Sequence, residues 1–324
     1  MCIIWLAGLQ RNRSIQNSKK LTQALANAAE ERGTDAAGIS YIKDRKVMIY
    51  KRPKPAHKLR FNIPDVTKAV MGHTRMTTQG NEKFNYNNHP FSGTAGDTSF
   101  AFAHNGVLWN DKELRHDKKL PNTHIETDSY VAVQLIESQG KLNFDSLKYM
   151  AETVEGNFTF TVLDEDNSLY IIKGNNPMFL LHFDSLGLYI YASTESIMKN
   201  ALQKVGLYKF ASEKIEVVEG DILCIDENGK INRSEFEPKL YRSKYLNWYG
   251  DDEPYYGVYE ELLLAYCGCY GVDSSDVELL LEYGYTCDEI EEMLMDTDLL
   301  RETLQAIKFE DGESLYEECC DRVF

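Results

Sequence analysis

The chain has 324 residues, 43% of them hydrophobic, and a formal net charge of −16 at neutral pH. That length holds one large domain and a small one, its apolar runs are too short to span a bilayer, and its seven cysteines are too few and too irregular for a secreted disulfide framework. The charge is uneven, because residues 1–240 carry 30 Lys and Arg against 29 Asp and Glu while residues 241–324 carry 5 against 22, so the acidity belongs to a C-terminal segment that repels phosphate and argues against nucleic acid as a partner.

The chain opens on Cys2, followed by the apolar run Ile3–Ala7, the pattern of a buried strand. No basic residue precedes that run, so it does not read as a signal peptide, and a reducing cytoplasm is the expected location. Ser14 to Glu31 reads as a helix, with Leu21, Leu25, Ala28 and Ala29 at helical spacing and Gly33 as its stop. Ala36–Ile42 and Lys46–Lys51 read as strands of a hairpin turning at Asp44-Arg45. Residues 52–64, with four basic residues and three prolines, read as a surface loop. Ala69–Arg75 is a predicted strand entering a polar loop over Met76–Gly96, and Ser99–His104 is another, ending at Asn105-Gly106.

Amphipathic helices are predicted over Thr127–Glu137 and Asp145–Val154. Strands follow at 157–163, 168–173, 178–183 and 188–192, then a helix over Thr194–Leu202 and strands near 214–218, 222–226 and 230–234. Strands and helices come in blocks, which predicts packed antiparallel sheets covered by helices, an α+β fold, and not a doubly wound parallel sheet. The expected division is a domain over 2–235, a linker over 236–255 rich in aromatic and acidic residues, and a small acidic helical module over 256–324. In that module Ser275 with Glu278 and Thr286 with Glu289 have capping-box spacing, and Gly284 sits between them as a stop. Cys267/Cys269 and Cys319/Cys320 lack zinc-site spacing and partner histidines, so no metal is expected.

If Met1 is removed, Cys2 holds a thiol and a free α-amine on one residue, and that amine, with a pKa of about 8, is able to take the thiol proton at neutral pH. Cys2 is followed in order by RGTDAAG at 32–38, GHTRMTTQG at 72–80, NNHPF at 87–91, AHNG at 103–106 and ETD at 126–128. VEGNFTFTVLD at 154–164, YASTES at 191–196 and VEGDILCID at 218–226 continue the series. Over roughly residues 2–235 this order resembles the glutaminase domain of class II glutamine amidotransferases, which are N-terminal-nucleophile hydrolases. The likeness is to the glutaminase domains of glucosamine-6-phosphate synthase and amidophosphoribosyltransferase. It implies a four-layer αββα sandwich of two antiparallel sheets.

The chemistry asks for these residue types. Cys2 would attack the glutamine side-chain amide, giving a glutamyl-thioester and ammonia. The tetrahedral intermediate carries an oxyanion that needs preorganised donors, and the resemblance puts the Asn105 amide and the Gly106 N–H in that role. Asn-Gly is otherwise a common hairpin turn, and the order of motifs is what favours the catalytic reading. A guanidinium grips a carboxylate bidentately, so Arg75 is the expected clamp for the glutamine carboxylate, with Thr78 adding a hydroxyl contact. Asp128 would pair with the substrate ammonium, as the family's aspartate does, or carry a charge at a helix N-terminus. With an α-amine as base no catalytic histidine is required, and His73, His89 and His104 read as hydrogen-bonding groups that shape the pocket.

Three departures stand out. Ile3 follows the nucleophile where the family usually has Gly, Met76 replaces an aromatic residue of sugar-phosphate members, and Gln79 replaces their histidine. Beyond 235 there is too little chain for a synthase domain of the usual size and no phosphate-cradling Gly-rich loop, so the domain would pass ammonia to a separate synthase partner, hydrolyse glutamine alone, or use the fold for something else. No cofactor is expected. Two other readings fit the residues: a catalytically inactive glutaminase scaffold that binds a partner through its acidic segment, and an amidase acting on another amide. Residues 276–294 faintly resemble a three-helix ubiquitin-associated module, and a helical extension packed on itself is the plainer reading.

Overall fold

A computed structural model describes residues 2–7 (as backbone), 18–65, 67–238, 272–283, 285, 289–290, 293–294 and 299–308. The chain divides into two compact units, residues 1–241 and 242–324. Among the described residues of the first unit, thirteen strands form two sheets. One sheet holds β1 (Cys2–Ala7), β2 (Ala36–Lys43), β3 (Lys46–Arg52), β4 (Ala69–Arg75), β9 (Phe179–Phe183), β10 (Leu188–Ala192) and β11 (Glu213–Lys214), in the order β11-β9-β10-β1-β4-β2-β3. The other holds β5 (Phe91–Ala95), β6 (Thr98–Leu108), β7 (Gly156–Asp164), β8 (Leu169–Lys173), β12 (Asp221–Ile225) and β13 (Ile231–Glu235), in the order β13-β12-β8-β7-β6-β5. All the recorded pairings are antiparallel.

Three cores follow from the two-residue period of the strands. Ala69 and Met71 of β4, Ala101 and Ala103 of β6, and Leu163, Ile171 and Leu223 pack together between the sheets. On the far face of the first sheet, Val70, Ile39 and Ile190 pack under α1 (Ser18–Ala28) and α5 (Glu195–Val205) through Leu21, Leu25, Ile197 and Met198. On the far face of the second, Phe100, Phe102 and Phe160 pack under α3 (Tyr130–Ser138) and α4 (Phe144–Thr153) through Val131, Leu135, Leu147 and Met150. Each such side chain contributes about 1.5–3 kcal/mol relative to exposure. The α+β architecture and the antiparallel pairing agree with the sequence reading.

Several local expectations are corrected. The 52–64 segment is not a surface loop throughout, since Ala56, Leu59, Phe61 and Ile63 are buried against α1 and its neighbours. The polar loop after Arg75 ends at β5, because the Gly93 backbone lies against the ring of Phe100 and lets Phe91–Ala95 pair with β6. β6 does not stop at Asn105 but runs on through Gly106 to Leu108. A short helix, α2 (Asp111–Asp117), follows where none was predicted. Only Glu213–Lys214 of the 214–218 region pairs as a strand. The Asp44-Arg45 turn is as predicted, with φ of 51° and 56° at the two residues, the left-handed pair that suits a two-residue hairpin.

In the second unit, α6 (Ser274–Glu282) and the helical residues 299–308 share a small core of Val277, Leu280, Leu300, Leu304 and Ile307 with Ile290, Met293 and Leu294. The cap of α6 is Asp273, whose side chain accepts the Ser275 N–H at 3.1 Å, so Ser275 lies inside the helix and does not form the expected box with Glu278. The predicted start of the first helix at 14–17, most of the 236–255 linker, Thr286 and Gly284 lie outside the described residues.

Candidate active site

Three strands bring the predicted residues to one end of the sandwich. On β4, Ala69 and Met71 face the inter-sheet core, and alternation carries His73 and Arg75 onto the same side. Thr74 points the other way and donates to the Ala29 carbonyl at 2.9 Å. On β6, Ala101 and Ala103 put Asn105 on the inter-sheet side, and Phe100 and Phe102 put His104 on the helix side. β1 pairs with β4 in a register that sets Cys2 opposite His73. The His73 Nε2–H then crosses between the sheets to the His104 carbonyl oxygen at 3.0 Å. A carbonyl only accepts, so the proton is on Nε2.

Asn105 is 5% exposed, and its Nδ2 finds no hydrogen-bond acceptor among the described residues. A buried amide NH₂ left bare costs about 1–3 kcal/mol, which marks a group held for a ligand or an unfavourable accident. The backbone beside it is also open. Opposite Gly106, Phe158 of β7 accepts the Asn176 N–H at 3.4 Å and donates its own N–H to Asn175 Oδ1 at 3.1 Å. Phe158 thus faces away from β6, and its opposite number Gly106 faces away from β7. On that same edge, the His104 carbonyl takes His73 and the Leu108 N–H donates to Asp128. β5 stops covering this edge at the Phe91–Phe102 pair, so among the described residues no strand pairs with β6 at the Gly106 N–H. Gly106 has φ of +135°, and a Cβ there would overlap the Asn157 carbonyl oxygen. Only glycine fits.

Arg75 is 4% exposed. Its Nη1 donates to Asn88 Oδ1 at 2.7 Å, and its Nη2 donates to the carbonyls of Gln79 at 2.5 Å and Gly80 at 3.2 Å. Burial lowers its pKa, and the Glu82, Asp128 and Asp35 carboxylates oppose that shift. The guanidinium therefore braces the 76–80 turn, with both Nη2 hydrogens committed to it. Asn87 and Glu126 tie the rest of the loop: Asn87 Nδ2 donates to Glu126 Oε2 at 2.8 Å, and the Glu126 N–H donates to Asn87 Oδ1 at 2.9 Å. Gln79 Nε2 donates to the Glu126 carbonyl at 3.0 Å. Lys51 supports the far arm by donating to the Asn88 and Pro90 carbonyls, and burial, aided by the Arg75 charge, lowers its pKa to about 8.

Asp128 is 3% exposed and precedes α3. Its Oδ2 accepts the Leu108 N–H at 2.6 Å and its Oδ1 lies 3.3 Å from Ser129 Oγ. Ser129 Oγ also meets His104 Nδ1 at 2.8 Å, and His104 Nε2 lies 3.2 Å from the Asn157 carbonyl. Burial lowers the His104 pKa to about 4 against the pull of Asp128. Burial likewise holds His73 and His89 well below the ordinary histidine range. These two rings stack at 4.2 Å, and neither nitrogen of His89 has a hydrogen-bond partner among the described residues. All three imidazoles are neutral at pH 7.

Residues 73–200 match the profile of the glutamine amidotransferase domain family. A glutamine–fructose-6-phosphate aminotransferase (isomerizing) from Staphylococcus epidermidis is 30% identical over 230 residues, covering 68% of this chain and 37% of that protein. The chain carries a class II glutamine amidotransferase domain. The corresponding enzyme of Staphylococcus aureus is 26% identical over 257 residues, covering 76% of this chain and 40% of its own length. The chain thus spans about two fifths of the length of the curated relatives it matches. Among solved structures, glutamine phosphoribosylpyrophosphate amidotransferase from B. subtilis superposes with a TM-score of 0.58 at 21% identity, covering 73% of this chain and 49% of that one. An allosteric regulatory enzyme of purine biosynthesis gives 0.59 at 21%, covering 75% and 50%. At that identity the likeness establishes the fold.

Of the residues singled out in the sequence, Asn105, Gly106, Arg75 and Asp128 come to one end of the amidotransferase domain, with the backbone of Cys2 in register opposite His73. Thr78 is exposed, in the turn that Arg75 braces. Sequence reasoning missed the structural roles of Asn87, Asn88 and Glu126, although each lies inside a quoted motif. It also missed Asn176, whose only signal was a polar Gly-Asn-Asn-Pro stretch between two strands.

Proposed function

We propose that this domain is a glutaminase whose nucleophile is the Cys2 thiol, exposed beside its own α-amine once Met1 is removed. The amine takes the thiol proton, and the sulfur attacks the side-chain carbonyl of L-glutamine. The C–S bond forms as the carbonyl oxygen gains negative charge, and the Asn105 Nδ2–H and Gly106 N–H receive that charge. Collapse breaks the C–N bond, ammonia leaves with the proton, and water hydrolyses the glutamyl-thioester to glutamate. Asp128 holds the substrate ammonium. Arg75 holds the carboxylate, by exchanging its Nη2 contacts to Gln79 and Gly80, and Thr78 adds its hydroxyl when the turn closes. The relatives are named for amino transfer to a sugar phosphate, and in this chain ammonia passes to a separate acceptor enzyme, with the cytoplasm as the site of action. No metal or cofactor takes part.

The observation that carries the reading is Asn105: a buried amide donor with no acceptor among the described residues, next to a backbone N–H on a strand edge that no described strand covers. An oxyanion hole accounts for two donors held side by side in this way. The test measures ammonia release from glutamine by wild type and Cys2→Ala, with intact mass to confirm loss of Met1. Ammonia release that depends on Cys2 is expected. Equal release by both proteins, or a mature chain that keeps Met1, would reject the reading and leave a binding role for the scaffold.

A further inference from the structure

We infer that Asn176 is a positioning residue that aims the Gly106 N–H into the oxyanion hole, an inference that rests on the glutaminase reading. Asn176 lies in the turn between β8 and β9, outside every motif named above. Its Nδ2 donates to the carbonyl oxygen of Asn105 at 2.7 Å. Because that oxygen only accepts, the amide orientation of Asn176 is fixed. The carbonyl of Asn105 and the N–H of Gly106 belong to one planar trans peptide, so they point in opposite directions. Gripping the oxygen on the β7 side sets the direction of the N–H on the open side. The same bond polarises the amide and makes its N–H a better donor.

The grip is itself held. Thr159 Oγ1 donates to the Asn176 carbonyl at 2.9 Å, the Asn176 N–H donates to Phe158, and Asn175 Oδ1 accepts from Phe158. The 175–176 backbone is thereby stapled to β7, leaving one side chain free to reach β6. The need for such a brace is local. Gly106 has φ of +135°, outside the strand range, so β6 is distorted at this peptide, and the Asn176 contact adds to its pairing with β7. The Asn176 amide lies close enough to Gly106 that a Cβ would also meet it.

The test compares wild type, Asn176→Ala and Asn176→Asp for steady-state glutamine hydrolysis, thermal midpoint and the Gly106 amide resonance in ¹⁵N-labelled protein. A donor aimed at charge that exists only in the transition state acts on kcat, so Asn176→Ala should lower kcat about 10-fold with KM within about twofold. Asn176→Asp, which sets an acceptor against an acceptor, should lower it further. The Gly106 amide proton should move upfield in both, with the protein still folded at the assay temperature and the thermal midpoint lowered, because each variant takes a donor from the Asn105 carbonyl. An unchanged kcat in an active background would overturn the inference alone. So would KM changing in step with kcat in a protein that stays folded, the mark of a merely structural residue. If wild type itself releases no ammonia, the glutaminase reading fails and this one with it, and the amide shift separates that outcome from absence of the bond.

Discussion

The Nε2–H of His73 reaches the carbonyl of His104 at 3.0 Å, so one imidazole joins the strand that faces Cys2 to the strand that carries Asn105. Burial keeps that ring neutral, which leaves Nε2 as its one N–H and commits it to the contact. Replacing His73 by Phe keeps an aromatic ring stacked on His89 but strands the His104 carbonyl. The expected cost is about 1–3 kcal/mol of stability, the penalty for a buried acceptor left unpaired. Urea unfolding reads it directly. Glutamine turnover should fall as well, because the two strands lose their common reference.

Asn105 predicts the opposite split. Its Nδ2 makes no bond among the described residues, so Asn105→Ala removes no donor contact from the resting protein, and stability should stay within about 1 kcal/mol of wild type. As an oxyanion donor it should cost about 10²–10³ in kcat. Kinetics and unfolding on the same preparation settle it. A variant that loses several kcal/mol while keeping kcat would make Asn105 a packing residue.

The sequence made some of this legible for physical reasons. Ala69–Arg75 was readable with its true bounds because a seven-residue strand buried on both faces carries few polar residues before Arg75. The order of motifs led to Asn105 and Gly106, yet local pattern misread the backbone there. Asn-Gly is a turn signal, and what keeps β6 extended through it is pairing with Phe158 and Thr159, more than fifty residues away. β5 was hidden because Gly93 and the NNHPF stretch look like loop until the Phe100 ring fills the space above the glycine. The helix cap at 273 shows the same limit at short range: Asp273 and Ser275 are both good caps, and geometry chose the aspartate. Asn176 was not legible at all, because a lone asparagine in a turn acquires its role only when the turn lands against another strand.

Asp128 gives a prediction about binding. Its carboxylate is buried with the Leu108 N–H already on it and Ser129 Oγ 3.3 Å away, and its field reaches Arg75. An Asn at this position keeps an acceptor for Leu108 but loses the charge. Loss of one charge-assisted contact, about 1.5–3 kcal/mol, should raise the glutamine KM roughly 10- to 100-fold with a smaller effect on kcat. A KM unchanged in Asp128→Asn would assign the carboxylate to the helix start and not to the substrate.

Stability against pH gives the last prediction, from two groups of opposite sign. His104 has its pKa lowered by burial to about 4. The unfolded chain takes up its proton first, so the stability this neutral ring contributes is present above about 6.5 and is lost as pH falls toward 4. Asp164 at the end of β7 goes the other way, because burial raises its pKa to about 6. Its contribution is fully present below the unfolded value of about 3.9 and is lost as pH rises through 6. Above that pH an ionised carboxylate sits in a site that favours the acid. Its Oδ1 accepts the N–H groups of Asp166 at 2.9 Å and Ser168 at 2.8 Å, both of which an asparagine oxygen would also accept. Asp164→Asn should therefore stabilise the protein at pH 8 by on the order of 1–3 kcal/mol, and the gain should shrink toward zero near pH 4.5. Urea midpoints at the two pH values measure it. A gain of equal size at both would show that the substitution works through packing, and that burial does not oppose the charge on Asp164.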